Sequence, residues 1–208
     1  MTGSVPAPRV VLATRNGHKV AELRRILADA GLAAEVVDLD DVPDVPDVAE
    51  TGTTFADNAL LKAHAVAQAT GLAALADDSG LCVDVLGGAP GVFSARWSGR
   101  HGDDAANLDL LLAQIGDVPD ERRGAHFACA AALALPDGTE RVVEGRLDGM
   151  LTRKPLGENG FGYDPIFTPD GGARTTAQLS PEEKDAISHR GRAFRAMVPH
   201  LRELLAGR

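Results

Sequence analysis

A chain of 208 residues, 44% hydrophobic and 25% charged, is long enough to bury a sizeable core and ordinary enough in composition for a globular fold. Its formal net charge of -9 repels phosphate backbones and anionic lipid, which excludes a nucleic-acid polymer or a membrane surface as the main partner. The two cysteines, Cys82 and Cys129, sit apart in apolar runs, so buried free thiols are expected rather than a zinc site or redox pair.

Residues 1–8 read as a loose tail before a single α/β domain over 9–208. The start lacks a signal-peptide core and no apolar run reaches the ~20 residues of a membrane span, so the cytosol is the expected compartment. Arg9–Ala13 is an apolar run of strand length, ended by the turn-forming Thr14-Arg15-Asn16-Gly17. Val20, Leu23, Ile26 and Leu27 repeat at helical spacing, which predicts a helix over 18–30 stopped by Gly31. A short strand is expected over 36–39, and the acidic, proline-bearing 40–53 reads as an irregular loop. A second helix is predicted over 54–70, then a strand over 72–76 that ends at Asp77-Asp78-Ser79-Gly80. A third helix covers 104–115, and the apolar run 125–135 reads as a central strand buried on both faces. Asp137-Gly138 is a hairpin signal, with returning strands expected over 141–144 and 147–151. After the glycine-rich loop 157–165, Ser180-Pro181-Glu182-Glu183 opens a helix, and a closing helix is expected to kink at Pro199. This order implies a mixed α/β sheet with helices on both faces.

Several segments carry candidate chemistry. A strand–TRNGHK–helix junction presents backbone N–H groups and the positive end of a helix dipole, with Asn16 and Lys19 able to reach the same anion. It is not a Walker A loop, and an ordinary strand–helix turn with a surface lysine is the alternative. Adjacent Asp77 and Asp78 resemble a magnesium site, since that ion takes one or two carboxylates plus substrate phosphate. In a strand they point to opposite sides, so one is expected to cap the turn while the other meets ligand. Glu50 precedes the second helix and Lys62 lies two turns along it; a capping charge and a solvated face are the plainer readings. Phe161, between glycines and ahead of Tyr163-Asp164, suits covering a flat base, or else packs in the core. Lys184, His189 and Arg190 concentrate cationic or protonatable groups in an acidic protein, for anion or base recognition or as a solvated helix face.

Taken in order, TRNGHK (14–19), ETGTTFADNALLKA (50–63), ADDSGL (76–81), GAPGVFSAR (88–96), NGFGYDP (159–165) and SHRG (188–191) resemble the inosine triphosphate pyrophosphatase family, also called XTP/dITP diphosphatases. The match spans about Val10 to Leu205. The resemblance implies an elongated mixed α/β sheet flanked by helices, two lobes with a central active-site cleft, and a homodimer. It implies that Thr14, Arg15, Asn16, Gly17, His18, Lys19 and Lys62 hold the triphosphate, and that Glu50 and Asp78 serve Mg²⁺. Asp78 would also accept a proton from the attacking water. Ser79, Phe161, Gly162, Tyr163, Asp164, Lys184, His189 and Arg190 would complete the nucleotide pocket, with Phe161 stacked on the base. Arg15 and Asn159 depart from the residues most members carry.

Phosphoanhydride hydrolysis needs an in-line water and neutralised phosphates, which Lys19, Lys62, magnesium and Asp78 could supply. Attack at the α-phosphorus, releasing pyrophosphate, follows from the resemblance alone. Donors aimed at a 6-keto oxygen, with His189 and Arg190 as candidates, would be left unpaired by adenine at roughly 1–3 kcal/mol each. A pyrophosphatase acting on pyrimidine nucleotides and a non-catalytic nucleotide-binding module are the competing readings.

Overall fold

The computed structural model describes residues 8–31, 34–42, 45 and 48–206; the side chains of His18, Leu205 and Ala206, and the expected tail up to residue 7, lie outside the described part. The elements are β1 (Arg9–Leu12), α1 (Gly17–Asp29), β2 (Glu35–Asp38), α2 (Phe55–Thr70), β3 (Ala73–Val83), α3 (Asp104–Gln114), β4 (Gly124–Ala134), β5 (Glu140–Leu151), β6 (Phe167–Pro169), α4 (Pro181–Ile187) and α5 (His189–Ala206). The strands form one sheet in the order β2-β1-β3-β4-β5-β6. β1 runs parallel to β2 and to β3, and β5 is antiparallel to β6, so the sheet is mixed, as the element order predicted.

The chain divides into two compact units. The first holds the described residues of Met1–Asp78, Ala130–Glu144 and Gly191–Arg208; the second holds Ser79–Cys129 and Gly145–Arg190. In the first unit, Val10, Val11 and Leu12 of β1 are buried on both faces, the mark of an interior parallel strand. The α1 residues Val20, Leu23, Ile26 and Leu27 are buried at the predicted helical spacing. Helix α2 is punctuated at both ends: Thr54 and Asp57 form a capping box, and Gly71 adopts φ 68° after the last turn. Its Ala59, Ala63 and Ala67 meet Ala74, Ala76, Ala130 and Ala132 of the sheet. Small side chains on both sides compensate for the scarcity of aromatics by letting backbones approach closely.

The second unit has a different core, with Leu108, Leu111 and Ile115 around Phe127, Tyr163 and Phe167. Arg123 is buried in this unit. Its guanidinium donates to the carbonyls of Leu151 (2.9 Å), Ile115 (2.7 Å) and Thr152 (2.9 Å), tying the end of α3 to the end of β5.

Three expectations need correction. The strand expected to stop at residue 76 runs on to Val83, so Asp77, Asp78, Ser79 and Gly80 lie in mid-strand rather than in a turn. Gly80 is a close-approach glycine: a Cβ there would sit 2.4 Å from the Gly91 carbonyl and 2.4 Å from Ser94 Oγ. The two strands expected over 141–144 and 147–151 are one, β5. The three-residue β6 was not foreseen; Gly149 makes room for it, since a Cβ would come within 2.3 Å of the Thr168 carbonyl. In the stretch read as a loop over 40–53, a 3-10 turn covers Leu39–Asp41, and residues 43, 44, 46 and 47 lie outside the described part. Pro199 lies inside α5, and the break between α4 and α5 falls at Ser188, whose ψ of 149° ends α4.

Candidate functional site

In the first unit, β3 presents consecutive carboxylates to opposite faces. The Asp77 side chain is fully buried and pairs with Lys19 Nζ at 2.9 Å. Lys19 projects from the first turns of α1, the helix that begins at Gly17 directly after β1 and its turn. Asp78 accepts from Asn58 Nδ2 at 3.0 Å, and Lys62 Nζ lies 3.6 Å from its other oxygen. Lys62 Nζ also donates to Glu50 Oε1 at 2.7 Å. The Gly52 amide donates to Asn58 Oδ1 at 2.8 Å, which orients the Asn58 amide with its NH₂ toward Asp78. Gly52 is required for this approach, because a Cβ would fall 2.7 Å from Asn58 Oδ1.

The electrostatics follow from one ammonium shared among several carboxylates. Burial works against the charge on Lys62, yet Asp78, Asp77 and Glu50 together outweigh it and hold its pKa above the usual value. Burial pushes the Asp78 carboxyl up; Lys62 and Asn58 oppose the rise without cancelling it, and Glu50 adds to it. Both directions agree: the lysine has more negative charge around it than it needs, while at Asp78 burial outweighs the opposing charges of Lys62 and Lys19.

Among the described residues, no three His, Cys, Asp or Glu side chains gather as a metal cage. The donor chemistry nevertheless suits Mg²⁺ arriving with phosphates. That ion takes oxygen ligands, commonly one or two carboxylates, and completes its shell with phosphate and water. Glu50 and Asp78 share one cation already, at 2.7 and 3.6 Å from Lys62 Nζ, so the pair fits a divalent ion bound in company with substrate.

The remaining residues of 14–19 divide. The Asn16 amide donates to Thr14 Oγ1 at 3.1 Å, a local turn bond. Arg15 is half exposed, lies 3.6 Å from Asp40, and reaches the Val45 carbonyl at 3.5 Å. With Thr14, Gly17, Arg24 and Asp38 it lines a cavity of about 220 Å³.

The second unit contains a cavity of about 100 Å³ lined by Ser79, Phe127, Phe161, Lys184, His189 and Arg190, among others. Phe161 is 38% exposed, which decides against the reading that buries it in the core. Lys184 Nζ and Arg190 Cζ lie 5.1 and 5.7 Å from the centroid of its ring. Arg190 donates to Ser79 Oγ at 2.9 Å. His189 is buried, and its ring stacks on Phe127 at 4.8 Å between centroids with planes 11° apart.

Asp164 organises the aromatic loop. Its carboxylate accepts from the Phe161 amide at 2.8 Å and from Thr176 Oγ1 at 2.8 Å, and pairs with Lys184. Gly162 has φ 60°, the left-handed region the loop needs next to Phe161. Tyr163 is buried; its hydroxyl donates to the Ser94 carbonyl at 2.9 Å, and burial, helped by Asp104, pushes its pKa up. Asn159, the departure from the family pattern, donates from Nδ2 to the Leu179 carbonyl at 2.9 Å and so anchors the loop's start.

Of the residues singled out from the sequence, Lys19, Glu50, Lys62 and Asp78 lie in the first unit, and Ser79, Phe161, Lys184, His189 and Arg190 in the second. Sequence reading gave no role to Asn58, Asp104, Phe127 or Thr176. Asn58 lay within a quoted motif, but an asparagine in a helix carries no signal of its partner.

Residues 10–200 match the model of the Ham1 family. A protein of Streptomyces coelicolor named dITP/XTP pyrophosphatase is 72% identical over 197 residues, covering 95% of this chain and 98% of that protein. The crystal structure of the nucleoside-triphosphatase, dITP/XTP pyrophosphatase, of Mycobacterium abscessus is 60% identical, with a TM-score of 0.76 over 92% of this chain and 99% of that one. A HAM1 protein of Coxiella burnetii is 42% identical, with a TM-score of 0.86 over 94% and 99%.

Proposed function

This chain belongs to the Ham1 family, and from that premise we infer that it hydrolyses dITP, XTP and ITP to the monophosphate and pyrophosphate, clearing non-standard purine nucleotides. Support comes from relatives at 60–72% identity named dITP/XTP pyrophosphatases. The single observation that carries the reading is Asp78: a buried carboxylate gripped by Asn58 Nδ2 at 3.0 Å, with Lys62 Nζ 3.6 Å away.

In this reading, the phosphates enter among Lys19, Lys62, Glu50 and Asp78. Bound with the triphosphate and held by Glu50 and Asp78, Mg²⁺ would screen phosphate charge and lower the pKa of a coordinated water. Asp78 accepts the proton of the attacking water as its oxygen bonds to the α-phosphorus. The bond from that phosphorus to the bridging oxygen breaks, and pyrophosphate leaves. Burial favours this role, since a carboxylate with a raised pKa is a stronger base. The ammonium groups of Lys19 and Lys62 offset the negative charge on the phosphates.

The pocket of the second unit takes the base. Phe161 offers a ring face, and the His189–Arg190 pair offers donors for a 6-keto oxygen. Adenine, with an amino group there, would leave those donors unpaired. A cytosolic homodimer belongs to the same reading, as the family resemblance implies; among the described residues no helix is long and apolar enough to cross a membrane.

The test is a panel of ATP, GTP, ITP, dITP, XTP and dTTP with Mg²⁺ or EDTA, with products followed by phosphorus NMR. Pyrophosphate from ITP, dITP and XTP only, abolished by EDTA, is expected. Asp78→Asn should lose at least ~10²-fold in kcat while keeping its circular dichroism. Orthophosphate as the first product, or equal rates on all six triphosphates, would overturn the assignment.

A further inference from the structure

Phe161 is held in place by two consecutive backbone amides. Its own N–H donates to Asp164 Oδ2 at 2.8 Å, and the next, from Gly162, donates to Asp104 Oδ2 at 2.9 Å. The two anchors differ in kind. Asp164 is 3% exposed, lies three residues from Phe161, and is itself fixed by Thr176 and Lys184. Asp104 comes from an element 58 residues away in the chain, and its bond to Gly162 is exposed to solvent.

Asp104 is also well mounted. It is the first residue of α3, directly after the helix cap Asp103, which accepts from the Ala106 amide at 3.2 Å. Leu108 and Leu111 of α3 are buried in the same core as Tyr163 and Ile166, which follow the loop. Asp104 itself lines the cavity that Phe161 faces. A carboxylate on a rigid helix, bonded to a loop that needs glycine conformations at Gly160 (φ 77°) and Gly162 (φ 60°), is placed to restrict what that loop does.

We propose that Asp104 is a positioning residue for the base pocket: by holding the Gly162 amide it presets the loop that carries Phe161, and so sets how tightly a purine nucleotide is bound. It does not take part in bond breaking. The proposal rests on the pyrophosphatase reading for its ligand, but not for the bond. The loop is organised before the nucleotide arrives, so less ordering cost falls on binding. Losing the bond therefore weakens binding and spares the chemical step.

Amide hydrogen exchange by NMR, on the full chain without nucleotide, reads the bond directly. Asp104→Ala should speed exchange of the Gly162 amide by roughly tenfold, as expected for one lost hydrogen bond, and leave the Phe161 amide unchanged. With dITP as substrate, the same variant should raise KM about 5- to 10-fold with kcat within about twofold. Asp104→Asn keeps an acceptor oxygen and should restore both values. A merely structural role would instead move kcat and the melting temperature together. Unchanged Gly162 exchange in Asp104→Ala, unchanged KM despite faster exchange, or failure of Asp104→Asn to restore either one overturns the proposal. Wild-type protein that hydrolyses no triphosphate defeats the functional reading instead, and the Gly162 amide still decides whether Asp104 holds the loop.

Discussion

The Asp78 carboxylate depends on a residue that does no chemistry. Asn58 is fully buried, bonded on one side to the Gly52 amide and on the other to Asp78. Its amide dipole therefore has one sense only, with the donor end toward the carboxylate. Asn58→Ala removes a donor to Asp78 and orphans the Gly52 N–H. We expect kcat with dITP to fall by ~10- to 100-fold, the usual cost of losing a group that orients a functional carboxylate. Stability should drop by about 1–3 kcal/mol, since a bonded buried polar group is lost. Initial rates measured well below the unfolding transition check the first, and urea unfolding the second. Unchanged turnover would mean that Asp78 needs no orienting partner. At this scale the candidates Lys19, Lys62, Glu50 and Asp78 were legible only through the family resemblance, since taken singly they also read as a surface lysine, a solvated face, a capping charge and a turn. Their pairing was not: that Lys19 meets Asp77 while Lys62 meets Glu50 and Asp78 depends on which side of β3 each helix covers.

Helix α2 shows what local rules achieve and where they stop. Its capping box, Thr54 with Asp57, and its stop at Gly71 close within a few residues, so they follow from local rules. Thr54→Ala removes the acceptor for the Asp57 amide at 3.1 Å and should lower the melting temperature by about 2–4 °C, leaving KM unchanged. A calorimetric shift of zero would show that the box is idle. Strand β3 is the opposite case. Asp-Asp-Ser-Gly carries a turn signature, yet these residues lie in mid-strand. Lys19, Lys62 and Asn58 reach the two carboxylates from other elements, and Gly80 is needed for close approach to the Gly91 carbonyl and Ser94. Tertiary partners reversed a local preference, which happens most readily where buried charge is kept for function.

Each unit is stabilised in its own way: the first by alanine-lined contact of α2 with the sheet, the second by a cluster of leucines and aromatics. In the second, Arg123 replaces a conventional cap by giving the Ile115 carbonyl at the end of α3 a charged donor. Arg123→Met leaves three carbonyls without that donor and should cost about 3 kcal/mol by denaturant unfolding. A loss under ~1 kcal/mol would show that water replaces the guanidinium readily. The net charge of -9 is equally a property of the whole; the cations offered to an anion are Lys19 and Lys62 in the first unit and Lys184 and Arg190 in the second.

The sequence by itself determined the mixed α/β class, the helices with their caps, and the chemical vocabulary of the site. Those properties follow from periodicity, short-range hydrogen bonds and residue type, all of which act over a few residues. Only the tertiary structure decided that β3 runs through both aspartates, that Asn58 and Gly52 aim Asp78, and that Asp104 reaches the Phe161 loop. Burial and hydrogen-bond direction depend on neighbours 20 to 58 residues away in the chain, and no local pattern encodes which of them will arrive.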